Sequence, residues 1–128
     1  MSSQHLIRNS EEYHIFWFEQ GKSSNIRFWS RFGGKPDFRG QVVLDVGCGQ
    51  GSLCLDMAKC GAKKVVGADI DGPVIEFAHR NLQARYPEWQ SVVSFECCKL
   101  DALPDNTFDL IVSKDTFEHV LDLRSLLA

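Results

Sequence analysis

Asp45-Val46-Gly47-Cys48-Gly49-Gln50-Gly51 is the stretch on which the architecture of this chain turns. It begins inside a short β-branched run, Val42 to Val46, and the residues after Gly51 have helical spacing, so the three alternating glycines end a strand and open a helix. Glycine suits such a corner because it turns tightly and lets bare backbone approach a ligand where a Cβ would collide. In an open α/β sheet, ligands sit in the crevice beyond the carboxyl ends of the strands, and this loop lies at such an end. A helix N-terminus opening there offers amide donors to an anionic group.

Downstream of the loop, a helix is predicted from about Gly51 to Cys60, with Gly61 in place for a left-handed cap. Val65 to Asp69 reads as a second strand. Asp71, Gly72 and Pro73 announce the next helix, whose apolar face is Ile75, Ala78 and Leu82 and which Pro87 ends. Ser91 to Cys97 and Phe108 to Ser113 read as strands three and four, and from Thr116 onward the spacing is helical, with Leu121, Leu123, Leu126 and Leu127 as its apolar residues. Only about ten residues, Cys98 to Thr107, separate strands three and four, too few for a full helix. Upstream, apolar and aromatic residues between Glu11 and Phe32 recur three and four apart, which predicts two short helices broken near Gly21 to Ser24. Continuous apolar strands alternating with helices imply a parallel sheet covered on both faces, with right-handed crossovers.

The organisation expected is therefore an N-terminal helical segment over 1–40, acting as a lid or cap, and an α/β domain over 41–128. Arg124 to Ala128 resemble the middle of a helix, and strand four would be a hydrophobic sheet edge. Either the domain is truncated at its C-terminus, or a partner chain or second copy covers the edge from Leu110 to Ser113.

Composition narrows the class. The chain has 128 residues, 44% hydrophobic and 24% charged, the balance of a globular domain, with a net charge of −3 that gives no footprint for nucleic acid. No apolar run is long enough to span a bilayer, and Met1 to Asn9 lacks the apolar core of a signal peptide, so a cytoplasmic location is expected. The five cysteines, Cys48, Cys54, Cys60, Cys97 and Cys98, are odd in number and form no pair of C-x-x-C clusters; they read as small reduced side chains. His5, His14 and His79 have no motif partners and read as surface or packing residues.

The glycine loop does not fit the dinucleotide fingerprint G-x-G-x-x-G/A, since the last position would be Ser52 or Cys54, and no Gly-Lys-Ser/Thr phosphate loop is present. Its D-x-G-x-G-x-G spacing instead resembles motif I of the class I, Rossmann-like S-adenosylmethionine-dependent methyltransferases. Two further stretches carry the resemblance in the right order: Leu100-Asp101-Ala102-Leu103-Pro104 leading to Phe108-Asp109, and Asp115-Thr116-Phe117-Glu118-His119-Val120. It covers about Gln41 to Leu127.

The resemblance implies a three-layer sandwich whose strands run 3-2-1-4, part of a seven-stranded sheet ordered 3-2-1-4-5-7-6. It implies S-adenosyl-L-methionine as cofactor, held at its methionine end by Asp45, Gly47, Cys48, Gly49 and Gly51 and by the backbone of Ser113 and Lys114. Asp69, with Ile70 beside it, would take the ribose hydroxyls; Asp101 would meet the adenine amino group and the Ala102 amide the ring. His119 would be the general base, an imidazole being suited to proton transfer at neutral pH. No metal is expected, although a Glu-x-x-Glu-His binds a divalent ion in some relatives where this chain has Asp115, Glu118 and His119.

Blander readings stand beside these. Asp69 and Asp71 could share a helix cap, Asp105-Asn106 is a turn, and Asp115 with Glu118 is a capping-box variant. Tyr13, Trp17 and Trp29 either roof the cofactor, line an acceptor pocket or fill the core. The function expected is methyl transfer to a small-molecule acceptor, without membrane or nucleic acid. The rival readings are a noncatalytic S-adenosylmethionine-binding module, or a fragment, needing a partner chain, and, more remotely, a nicotinamide-dependent oxidoreductase.

Overall fold

The computed structural model describes residues 6–103 and 107–114. The expected helix from Thr116, and with it Asp115, Glu118 and His119, lies outside the described residues, as do Pro104 to Asn106.

The chain opens with α1 (Glu11–Ser30). Ser10 caps it by accepting from the Tyr13 amide, Glu11 and Glu12 occupy the positive end of its dipole, and Arg27 lies in its last turn. The break expected at Gly21 to Ser24 does not occur, and α1 is one continuous helix. Gly21 is there for packing: a Cβ would overlap the Ser52 side chain of the neighbouring helix, so the residue permits a close helix crossing. The Ser24 hydroxyl bonds back to the Gly21 carbonyl at 3.2 Å within the same turn and leaves the helix intact.

Then come β1 (Val42–Val46), α2 (Ser52–Lys59), β2 (Lys64–Asp69), α3 (Gly72–Arg85), β3 (Val93–Cys97) and β4 (Leu110–Val112). Short 3-10 turns at Pro87–Trp89 and Leu100–Ala102 complete the order, the second occupying the link expected to be too short for a helix. Asp71 caps α3 through the Val74 amide, and Gly61 follows α2 with φ +96°, the left-handed conformation expected.

Among the described residues, one four-stranded sheet runs β3-β2-β1-β4, every pair parallel. Strand β4 is shorter than the Phe108 to Ser113 expected. Its entry is fixed by Asp109, whose amide donates to the Val42 carbonyl and whose carboxylate accepts from the Val42 amide, both at 2.8 Å. The helices share one large core with one face of the sheet, including Phe18, Phe28, Trp29, Met57, Phe77, Val43, Val65 and Phe95. On the other face Leu44, Val46, Val66 and Ala68 pack with Leu103, Phe108 and Ile111. Because all strands are parallel, their carboxyl ends lie together, and the glycine loop, Asp69, the turn after β3 and Ser113-Lys114 converge on one edge. Among the described residues no helix is long and apolar enough to cross a membrane.

Candidate functional site

The loop from Gly47 to Gly51 owes its shape to its glycines. Gly47, Gly49 and Gly51 all take positive φ, at +71°, +56° and +94°, a region that costs a side-chain-bearing residue about 1–2 kcal/mol. The Gly47 and Cys48 amides both donate to the Ala68 carbonyl at 2.8 and 3.1 Å, which pins the loop to the end of β2. Gly51 is the N-cap of α2, and no side-chain cap bond takes up the first amides of that helix.

The glycines do two different jobs. A Cβ on Gly51 would stand 2.6 Å from Cζ of the buried Phe95 ring, so this glycine is required by the core. A Cβ on Gly49 would meet no atom within 4 Å, so the bare backbone there faces open space.

That space is a cavity of about 290 Å³ between the loop and α1. Asp45, Gly47, Cys48, Gly49 and Lys114 line it, with Trp17, Gln20 and Ser24 of α1, Gln50 of the loop and Ser52 at the start of α2. Five of the expected cofactor residues are thus brought to one hollow.

Asp45, only 2% exposed, accepts from the Cys54 thiol at 3.4 Å. The Cys54 thiol is held well above its ordinary range by its bond to Cys48, by burial and by the Asp45 carboxylate. For Cys48, the bond to Cys54 pulls the thiol down, but burial and the charges of Asp45 and Asp69 outweigh it and keep it raised. Both stay protonated and unreactive. The Cys48 side chain turns inward, so it can face the cavity mainly with its backbone. Its Cβ and Sγ, together with Cys54 Sγ, would crowd any Cβ on Gly67 to 2.8–2.9 Å. Gly67 is a residue that the sequence reading passed over; a lone glycine within the apolar β2 run was the available signal for a close approach.

Asp69 ends β2 beside the loop. One carboxylate oxygen accepts from the Gly49 amide and the other from the Asp71 amide, both at 3.0 Å. It is not the helix cap, which is Asp71. A carboxylate has about four lone-pair sites, so two bonds leave acceptor capacity for a ligand's hydroxyls. Ile70 is 76% exposed next to it. Asp101 and Ala102 lie exposed in the turn after β3, whose end is tied in by the Cys98 amide donating to the Asp69 carbonyl at 3.1 Å. Ser113 is buried, and its hydroxyl has no hydrogen-bond partner among the described residues.

The aromatic residues separate cleanly. Trp29 belongs to the core, where its indole N–H donates to Asp56, which also pairs with Lys35 at 3.2 Å. Trp17 alone of the three candidates lines the cavity, and Tyr13 packs edge-on to Trp17 and His14. His14 is a packing residue: it stacks on Phe77 with centroids 5.1 Å apart, and its Nδ1 meets the Gln50 side-chain amide at 3.3 Å. Burial lowers its pKa from the usual 6.5, although Glu11 works in the opposite sense. Gln50 and Gln20 were not singled out from the sequence, since no local pattern marks a polar side chain that a distant helix brings to a cavity.

A family model for the methyltransferase domain matches residues 37–128. A ubiquinone biosynthesis O-methyltransferase of Mesorhizobium japonicum is 37% identical over 105 residues, which are 77% of this chain and 40% of the relative. A ribosomal protein L11 methyltransferase of Burkholderia lata is 37% identical over 89 residues, 70% of this chain and 28% of the relative. Among solved structures, an S-adenosylmethionine-dependent methyltransferase from Mesorhizobium loti aligns with TM-score 0.59 at 28% identity, covering 72% of this chain and 41% of that one. A methyltransferase structure from Methanococcus maripaludis shares the fold at TM-score 0.69 and 20% identity over 99% of this chain and 61% of that one. The chain belongs to the class I, Rossmann-like family of S-adenosylmethionine-dependent methyltransferases. It spans less than half the length of these two curated relatives.

Proposed function

We propose that this chain binds S-adenosyl-L-methionine at the glycine loop and supplies the cofactor half of a methyltransferase acting on a small-molecule acceptor. The observation that carries the reading is the Gly49 backbone. It is left-handed, tied to Asp69 and open to a cavity that a side chain would narrow. The cavity suits an amino-acid end in its chemistry as well: Asp45, the start of α2 at Ser52 and Leu53, and Lys114 line one hollow.

In this assignment Asp45, Gly47, Cys48, Gly49, Gly51, Ser113 and Lys114 surround the methionine end. Asp69 accepts from the ribose, Ile70 packs beside it, and Asp101 and the Ala102 amide meet the adenine. The cofactor supplies an electrophilic methyl group on a sulfonium sulfur. What the chain contributes is placement and exclusion of water, with His119 as the base that removes the acceptor's proton. The segment over 1–40 acts as a cap through α1, and 41–128 forms the cofactor-binding domain. Five free cysteines suit a reducing, cytoplasmic setting.

Isothermal titration with S-adenosylhomocysteine tests this. Heat is expected with the parent chain and a large loss of affinity with Asp69→Ala, while NAD gives none. Unchanged affinity in Asp69→Ala refutes the ribose assignment, and no heat with the parent refutes the cofactor.

A second reading rests on a different observation. Phe28, Trp29, Phe32, Pro36 and Phe38 form an apolar groove of about 370 Å³ along Leu110 to Ser113, on an edge of β4 that no described strand pairs. This supports a noncatalytic module or fragment that another chain, or a second copy, completes. Size-exclusion chromatography with and without S-adenosylhomocysteine separates a monomer from such an assembly.

A further inference from the structure

We propose that Lys114 is a positioning residue that seats α1 as the wall over the amino-acid end of the cofactor crevice, an inference that rests on the cofactor assignment above. Lys114 follows Ser113 directly at the carboxyl end of β4, and its side chain crosses the cavity lining to reach α1. There its ammonium donates to the Gly21 carbonyl at 3.1 Å, to Asn25 Oδ1 at 2.7 Å and to the Ser24 hydroxyl. Asn25 is 3% exposed, so the ammonium is held by an acceptor that water does not share.

The three acceptors occupy a single turn of α1, and the wall residues are its neighbours on the same face. Trp17, Gln20, Gly21 and Ser24 recur at three- and four-residue spacing and all line the cavity opposite Asp45 and Gly47. Fixing the turn from Gly21 to Asn25 therefore fixes how far Gln20 and Trp17 stand from the glycine loop. The close approach of Gly21 to Ser52 allows α1 to come this near but exerts no pull. Charge-assisted hydrogen bonds from an ammonium do pull, and they are directional. The His14 contact with Gln50 steadies the wall one turn further back.

The test uses the full chain with Lys114→Met, which keeps most of the stem and removes the ammonium, and Lys114→Gln as a second, polar variant too short to reach α1. Two ligands are titrated: S-adenosylhomocysteine, and 5′-methylthioadenosine, which has the adenosine and thioether but no amino-acid end. Amide hydrogen exchange is followed without ligand. With the wall unseated, affinity for S-adenosylhomocysteine is expected to fall on the order of tenfold and that for methylthioadenosine by less than about threefold. Exchange in α1 is expected to quicken while that in α3 stays as it was. Equal losses for the two ligands would mean that Lys114 only supports the fold, and would overturn the proposal. So would unchanged affinity for S-adenosylhomocysteine with unchanged exchange in α1. If the parent chain binds neither compound, the cofactor assignment falls and the proposal falls with it. A parent that binds both, beside variants that bind them equally well, sinks the role of Lys114 alone.

Discussion

Alanine at Gly51 and alanine at Gly49 put the same methyl group at two points of one loop with opposite surroundings. Both positions have left-handed φ, +94° and +56°, so each substitution carries a backbone cost of about 1–2 kcal/mol. At Gly51 the new Cβ also stands 2.6 and 2.8 Å from Phe95 ring carbons. That ring is 4% exposed and has His79 against its edge, so it must shift within packed surroundings, at a further cost of about 1–3 kcal/mol. Gly51→Ala should therefore lose about 2–5 kcal/mol, a large part of the ~5–15 kcal/mol that holds an ordinary domain together. Gly49→Ala should lose only the backbone part, and its methyl group should appear instead as weaker S-adenosylhomocysteine binding. Urea unfolding followed by circular dichroism measures the first effect from the midpoint at constant slope, and calorimetry measures the second. The reasoning fails if the two variants are equally stable, or if Gly49→Ala binds as tightly as the parent.

Burial depresses the His14 pKa below its value of 6.5 in the unfolded chain, so between the two the unfolded state holds more protons and stability rises with pH. Stability from this group is complete above about pH 6.5 and declines below it; a His14→Phe chain that loses as much between about pH 8 and pH 5 as the parent would contradict this. Trp29→Phe keeps an aromatic ring among Phe28 and Phe38 but removes the donor to Asp56, so a loss of about 1–3 kcal/mol in thermal or urea unfolding is expected. A change under about 0.5 kcal/mol would show that Lys35 alone satisfies that carboxylate.

The strands themselves were readable because β1 and β2 are runs of apolar residues closed by their own markers, Gly47 after β1 and Asp69 at the end of β2, whereas their order in the sheet came from the family resemblance. Asp71, Gly72 and Pro73 likewise announced α3 by capping chemistry that acts within a few residues. The reading of Gly21 went astray for an equally physical reason. A glycine that breaks a helix and a glycine that lets two helices touch look alike until the partner, Ser52, is known. Positions of the loop backbone were legible at Gly47, Gly49 and Gly51, whereas the inward turn of Cys48 depends on the space that Gly67 leaves on the neighbouring strand. Asp69 was legible as an acceptor at a strand end, but the amides it already holds, those of Gly49 and Asp71, appear only once the loop is folded. For the aromatic residues of α1, helical spacing marked a common stripe and could not divide the buried Trp29 from the half-exposed Trp17.

Lys114 and its partners on α1 stand 89 to 93 residues apart in the chain. At synthesis rates of about 5–20 residues per second, helix α1 leaves the ribosome roughly 5–20 s before the residue that anchors it exists. During that interval α1 can already pack into the core through Phe18, Phe28 and Trp29, but the bonds from Lys114 to its Gly21–Asn25 turn are not yet available. If Lys114 seats α1 as proposed, a chain whose synthesis stops short of β4 lacks the bonds that would hold the turn from Gly21 to Asn25 beside the glycine loop.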